Sequence, residues 1–236
     1  MNKTRRNFIK SVVLTLWKEY KEFSLPVPLK KIIKSIPNCR LIPYSRLQKD
    51  QNLSEQEVFD FCGTEDACTD YHANQNQYII YYNDISYSSK IKSNRYRWSI
   101  AHELGHILLN HHKNHNQTRI FRNHLSDQMY QRLEEEADVF ASYLLVPHAA
   151  LCFFPIKDEK DIAHICKISS PAAKRRNFEY SLWLRKNPFQ DEYDRKIRSL
   201  FFLSPVNKNH FICSNCKAMI EYFPGMHYCK ICGHKK

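Results

Sequence analysis

Apolar residues recur at helical spacing through the first part of the chain, at Phe8, Val12 and Leu16 and then at Leu29, Ile32, Ile33 and Ile36, with Pro26 and Pro28 interrupting the run. Short apolar or alternating segments follow at Cys39 to Ile42, Val58 to Cys62 and Gln77 to Tyr82, and each reads as a strand of a small sheet. The last of them stops at Asn83-Asp84, a turn signal, ahead of a polar stretch from Ser86 to Arg95. From Arg97 to about His112 the spacing turns helical again. Trp98, Ile100, Ala101, Leu104, Ile107, Leu108 and Leu109 take up nearly the whole circumference there, so this helix is predicted to be buried. A second long helix is predicted from Ser126, a suitable N-cap, to Val146, with Pro147 as its stop. Two helices joined by a turn fit residues 158–187, where Ser170-Pro171 reads as an N-cap followed by an N1 proline. The pattern predicts an α+β fold: a small mixed sheet packed with helices, followed by a helical segment.

Chemistry concentrates in the first of the two long helices, where His102-Glu103-Leu104-Gly105-His106 forms an H-E-x-x-H motif. Residues four apart share one helical face, so the rings of His102 and His106 can converge on one Zn²⁺. Glu103, about 100° round the helix, can reach a water held at that metal. In an apolar helix two imidazoles and a carboxylate each need a buried partner, and a metal satisfies all three. The competing reading is a pair of core histidines beside a solvated glutamate.

A catalytic zinc site needs a third protein ligand. His112 falls where H-E-x-x-H-x-x-G-x-x-H would place it, but Leu109 stands where that pattern needs a turn-forming glycine. Without a turn the helix carries His112 away, and His111, His112 and His115 read as an exposed, histidine-rich helix end. The other candidates lie in Leu133-Glu134-Glu135-Glu136-Ala137-Asp138 on the next helix. Glu134 and Asp138 share a face there, so one can ligate while the other orients an imidazole from behind. The bland reading of the three glutamates is a solvated charge run.

The segments Arg97-Trp98-Ser99-Ile100-Ala101-His102-Glu103-Leu104-Gly105-His106-Ile107-Leu108-Leu109 and Glu134-x-Glu136-Ala137-Asp138-x-Phe140-Ala141-x-x-Leu144-Leu145-x-Pro147 together resemble the ImmA/IrrE metallopeptidase family, over roughly residues 30–150. The resemblance implies a gluzincin-like zinc site with His102, His106 and Glu134 as ligands, Glu103 as general base and Asp138 supporting a ligand histidine. It also implies a zinc metalloendopeptidase of the cytoplasm whose protein substrate is a regulator such as a helix-turn-helix transcriptional repressor. A second electrophile from Tyr or His is expected beside the metal, unassigned among fourteen tyrosines. Gln77 to Tyr82 reads as a plain structural strand or as the edge on which an extended peptide pairs.

Nine cysteines change the picture at the C-terminal end. Cys213-x-x-Cys216, twelve residues, then Cys229-x-x-Cys232-Gly233 places four thiolates on two knuckles, the spacing of a structural zinc ribbon. A unit of about 30 residues buries too little apolar surface to fold without such a metal. Cys39, Cys62, Cys68, Cys152 and Cys166 are scattered and read as reduced thiols. Two zinc ions are therefore expected, one catalytic and one structural. The domain boundaries expected are residues 1–150 for a peptidase-like domain with a basic helical N-terminus, 151–205 for a helical extension and 206–236 for the ribbon.

Charge adds a second functional class. The net charge is +12, and residues 1–49 hold twelve Lys or Arg against Glu19 and Glu22. Asp161 to Arg176 has the lengths of a helix-turn-helix with a basic cluster at Lys174-Arg175-Arg176. Such cations steer a protein toward nucleic acid or form a solvated face. The alternative to a peptidase is thus a non-proteolytic DNA- or protein-binding regulator that keeps the peptidase fold as scaffold. Only four glycines are present, at least eight residues apart, which excludes a glycine-rich phosphate loop. Val12 to Trp17 follows basic residues as in a signal peptide, but it is short, runs into Lys18-Glu19 and lacks a cleavage site. No window reaches the eighteen or so apolar residues of a membrane span, so a cytoplasmic protein without membrane contact is expected.

Overall fold

The computed structural model describes the chain apart from residues 86–93, 121–124, 187, 205–209, 222–227, 230 and 236. In chain order the elements are α1 (Lys3–Tyr20), α2 (Leu29–Ser35), β1 (Cys39–Pro43), α3 (Tyr44–Gln51), α4 (Glu55–Cys62), β2 (Ala67–His72), β3 (Gln77–Tyr82), α5 (Arg95–Leu108), α6 (His111–Asn114), α7 (Asp127–Leu145), α8 (His148–Leu151), α9 (Glu159–Cys166), α10 (Ser170–Arg185), α11 (Glu192–Leu203), β4 (His210–Ile212) and β5 (Met219–Glu221). They group into two units, Met1–Val12 with Pro28–Ala141 and Val13–Val27 with Ser142–Lys236, the divisions falling inside α1, between α1 and α2, and inside α7. No helix among the described residues is long and apolar enough to cross a membrane.

The first unit is the mixed α+β body that the hydrophobic pattern predicts. Its sheet has the order β1-β3-β2, with β1 parallel and β2 antiparallel to β3. Gln77–Tyr82 is therefore the central strand rather than an edge for a peptide, and Tyr78, Ile80 and Tyr82 on it are buried. Among the described residues, the edge strand in contact with the H-E-x-x-H helix is β2. The bond from the Asn83 N–H to the Asp66 carbonyl sets the alternation of the β2–β3 ladder. By that alternation Ala67, Thr69 and Tyr71 turn their backbone groups outward, and the Tyr71 N–H donates to the Thr118 carbonyl at 2.8 Å.

Val58 to Cys62 is helical, not a strand. Ser54 caps α4 through a complete capping box with Glu57, and Gly63 closes it at φ +68°. Val58 and Cys62, one turn apart, then pack with Tyr44, Cys68 and Tyr81. A short apolar run has no decisive period, and the S-x-x-E signal before it was the better guide.

α5 packs on β2 and β3. It approaches α7 closely at Gly105, where an added Cβ would lie 3.2 Å from the Ala137 Cα and 3.1 Å from the Phe140 Cδ1. Glycine at this position lets the two helices meet backbone to backbone, which brings their facing side chains to one point. Ser126 caps α7 as expected, its Oγ accepting from the Met129 N–H at 3.3 Å.

The second unit is helical. Trp17 stacks on Phe23 at 3.9 Å, and Phe201 is met edge-on by Phe23 and stacked by Phe153. α9 and α10 pair as predicted, except that Ser169 rather than Ser170 is the N-cap of α10. Arg176 is buried and bonds the Val146 carbonyl at 2.8 Å as well as Glu179, so it is withdrawn from the basic cluster of Lys174 and Arg175. α11 went unread in the sequence, although Tyr193, Ile197 and Phe201 form its buried stripe behind an Asp191 cap. The tail holds the β4–β5 hairpin and the four cysteines of the two pairs.

Candidate metal centre

The helical period of α5 puts His102 and His106 on one face, and α7 presents Glu134 opposite them. The His102 Nε2 and His106 Nε2 lie 3.1 Å apart, and Glu134 reaches them with Oε2 at 3.3 Å and Oε1 at 3.4 Å. A cation bonded at about 2.0–2.2 Å holds neighbouring tetrahedral ligands about 3.3–3.6 Å apart, so this donor set fits zinc in size and in chemistry. Electrostatics agree. Burial alone would depress His102, yet Asp138 and Glu134 drive its pKa up to about 10. Burial holds His106 down at about 3, and Glu134 stays at about 2 because both imidazoles outweigh its own burial. The carboxylates thus favour positive charge at this point, which is the charge a divalent cation brings.

His102 is aimed by a neighbouring carboxylate. The His102 Nδ1–H donates to Asp138 Oδ1 at 3.1 Å, and the Trp98 indole N–H donates to the same oxygen at 3.2 Å. Asp138 therefore stands behind His102, in the place expected of it. Glu103 lies outside the group of three donors and accepts from the Thr69 hydroxyl of β2 at 2.7 Å. Burial pushes the Glu103 carboxyl up to about 7, with His102 and Thr69 pulling against it. Trp98, His102, Glu103, His106 and Glu134 line a cleft of about 340 Å³ whose walls also include Ala67, Thr69, Arg119, Ile120 and Tyr130.

The histidines after the motif are not an exposed helix end: His111 and His112 are each 1% exposed. Leu109 ends α5, and Asn110 takes the left-handed conformation at φ +58°, so the chain turns there without a glycine. Asparagine tolerates that region where most residues do not, and the residue signal was overlooked. His112 stays outside the cluster of His102, His106 and Glu134. Its Nδ1–H donates to the Gln117 carbonyl at 3.3 Å, its ring lies edge-on to Tyr78, and burial holds its pKa at about 4. Glu136 is also 1% exposed rather than part of a solvated run. Burial would raise it, but His111, Arg5 and Arg132 together hold it at about 2. Thr69, Trp98, His111 and Glu136 are thus site residues that sequence reasoning passed over; Trp98 alone carried a signal, one turn before His102 on the same face.

In the tail the sulfurs of Cys213 and Cys232 lie 3.7 Å apart and those of Cys216 and Cys229 lie 3.6 Å apart, all four unbridged and within 4.8 Å of one another. Zinc–sulfur bonds of about 2.3 Å set tetrahedral edges of about 3.8 Å, so this group too fits the ion. Each knuckle closes on a left-handed residue, Lys217 at φ +60° in the first and Gly233 at φ +71° in the second. The Ile231 and Cys232 N–H groups both donate to the Cys229 Sγ at 3.4 Å.

Residues 63–177 match the family model of a peptidase family described as the IrrE N-terminal-like domain. The matched stretch encloses His102, Glu103, His106, Glu134 and Asp138, and it leaves out α1 and the cysteine tail. No curated protein matches the chain.

Proposed function

From the match of residues 63–177 to the IrrE N-terminal-like peptidase domain, we propose that the protein is a cytoplasmic zinc-dependent endopeptidase that cleaves a regulatory protein such as a transcriptional repressor. One observation carries the reading: three donors converge while a fourth, Glu103, is held off them at the cleft by Thr69. A donor set built only to bind metal has no use for a half-buried, separately anchored carboxylate beside it.

His102, His106 and Glu134 would hold zinc, which would supply a Lewis acid that acidifies water and polarises a carbonyl. Glu103, with a pKa near neutrality, takes the proton of the attacking water and passes it to the leaving amine. The outward N–H and C=O groups of Ala67 and Thr69 hold an extended peptide along the β2 edge. Tyr130, one turn before Glu134 on α7 and the tyrosine among the described cleft residues, donates to the developing oxyanion. A repressor as substrate is supported by the resemblance to ImmA/IrrE peptidases, and the ribbon serves to dock it.

The regulator reading is favoured by the exposed Lys174 and Arg175, although the burial of Arg176 weakens it. Glu103→Gln separates the two readings. It keeps shape and metal but cannot take a proton at neutral pH, so cleavage of the repressor on a gel should fall by about a hundredfold to ten-thousandfold. Derepression of the target genes by the Gln variant at full strength would instead establish the regulator.

A further inference from the structure

The two candidate histidine ligands are supported in different ways. His102 meets a carboxylate directly, in Asp138. His106 aims Nε2 at Glu134, so its Nδ1 carries the ring proton when Nε2 binds a cation. That Nδ1 lies 3.0 Å from Nδ1 of His111, five residues on and folded back by the Asn110 turn. Two ring nitrogens bond only when one carries the proton and the other is bare. His111 is therefore bare at Nδ1 and protonated at Nε2, and that Nε2 lies 3.1 Å from Glu136 Oε2. The same oxygen accepts from the Arg5 guanidinium, and Arg132 Nε donates to Oε1 at 3.2 Å. Hydrogen bonds are thus donated from His106 to His111 and from His111 to a buried carboxylate, which also accepts from a cation on α1. Arg5 lies outside the residues that match the peptidase family.

We propose that Arg5, through Glu136 and His111, is a positioning residue for the catalytic metal: the N-terminal helix fixes the tautomer and aim of the ligand His106. The charge on Glu136 makes His106 a stronger donor, and Arg5 keeps that charge in place at the buried end of the relay. Neither Arg5 nor Glu136 touches substrate in this scheme. This inference rests on the zinc reading of His102, His106 and Glu134.

The test uses the full-length protein. Zinc affinity is measured by competition with a chromophoric chelator. Cobalt(II) substitution separates the two sites, because only the cysteine site gives intense thiolate charge-transfer bands. Arg5→Ala should weaken the histidine site about tenfold, and Glu136→Gln and His111→Phe about tenfold to a hundredfold, with the cysteine site unchanged. Arg5→Lys should restore most of the loss. Arg6→Ala, which removes the same charge from the exposed neighbouring position, should change nothing. Long-range ¹H–¹⁵N spectra of the zinc-loaded protein should show His111 protonated at Nε2 alone. Should Glu136→Gln fail to fold, the partly exposed Arg5 still carries the test. Unchanged affinity in Arg5→Ala and Glu136→Gln, or a His111 proton on Nδ1, would overturn the relay and leave the zinc site standing. An unmodified protein that binds no metal at the histidine site would overturn both.

Discussion

Glu134 and His112 are the residues at which two arrangements of the third ligand part company. Glu134 lies within bonding geometry of both imidazoles and His112 does not, so Glu134→Ala should empty the site while the tail keeps its zinc. His112→Ala should leave metal content intact but cost about 2 kcal/mol of stability, because it vacates a buried pocket beside Tyr71 and Tyr78. Metal analysis and a denaturant melt of the two variants check both statements. The pKa of His102 sets a pH dependence. Raised from 6.5 to about 10 in the metal-free protein, it contributes stability that is fully present below pH 6.5 and lost as the pH climbs toward 10. A metal displaces that proton, so zinc binding near pH 7.5 should release about one proton from the site. Calorimetry in buffers of different ionisation enthalpy measures it, and release of none would mean that His102 is neutral before binding. Tyr130→Phe should lower kcat about tenfold or more with little change in KM, if its hydroxyl acts only on the oxyanion.

At the scale of elements, the site depends on how closely α5 and α7 approach. Alanine at position 105 would gain up to about 1 kcal/mol of helix propensity. Its Cβ, however, would sit 3.2 Å from a backbone atom of α7 that cannot step aside. Overpacking of this kind costs about 1–3 kcal/mol, so Gly105→Ala should be destabilising on balance. It should also weaken zinc binding, because it pushes Glu134 away from both histidines. A variant with unchanged melting temperature and zinc affinity would show that the helices have room to spare. The motif thus uses its glycine for packing as much as its histidines for chemistry, whereas the turn after α5 needs no glycine because Asn110 adopts the left-handed conformation itself.

For the whole molecule the expected stoichiometry is two zinc ions, one in each unit. Deleting residues 209–236 should remove one of them and spare the other. A single zinc that survives the deletion would mean that the tail binds no metal; a single zinc lost with it would remove the catalytic reading. The tail has little core of its own, Cys213, Ala218, Ile220 and Cys229, so chelation should unfold it. Loss of its amide protection in hydrogen exchange would report this. Charge at this scale is less informative than its total of +12 implies. Arg5 and Arg176 are spent on internal carboxylates and a carbonyl, which leaves a smaller basic surface for any acidic partner.

Local and short-range signals determined much of this protein. The H-E-x-x-H spacing, the Ser126 cap, the proline stop at 147 and the paired C-x-x-C knuckles each follow from a few neighbouring residues and the fixed periods of helix and turn. The α+β class and the pairing of α5 with α7 followed from the same periods. What contact between distant segments sets was not legible. Val58 to Cys62 turned out helical because its cap and its packing against Tyr44 outweighed a short apolar run. Gln77–Tyr82 became the central strand only once β1 and β2 had paired on either side of it. Thr69 is one threonine among others until β2 is laid beside α5, and His111, Glu136 and Arg5 are surface-type residues until folding closes them around one buried charge. A charged group goes inside only where partners already wait for it, and those partners, more than a hundred residues apart in the case of Arg5 and Glu136, are brought together by the tertiary fold alone.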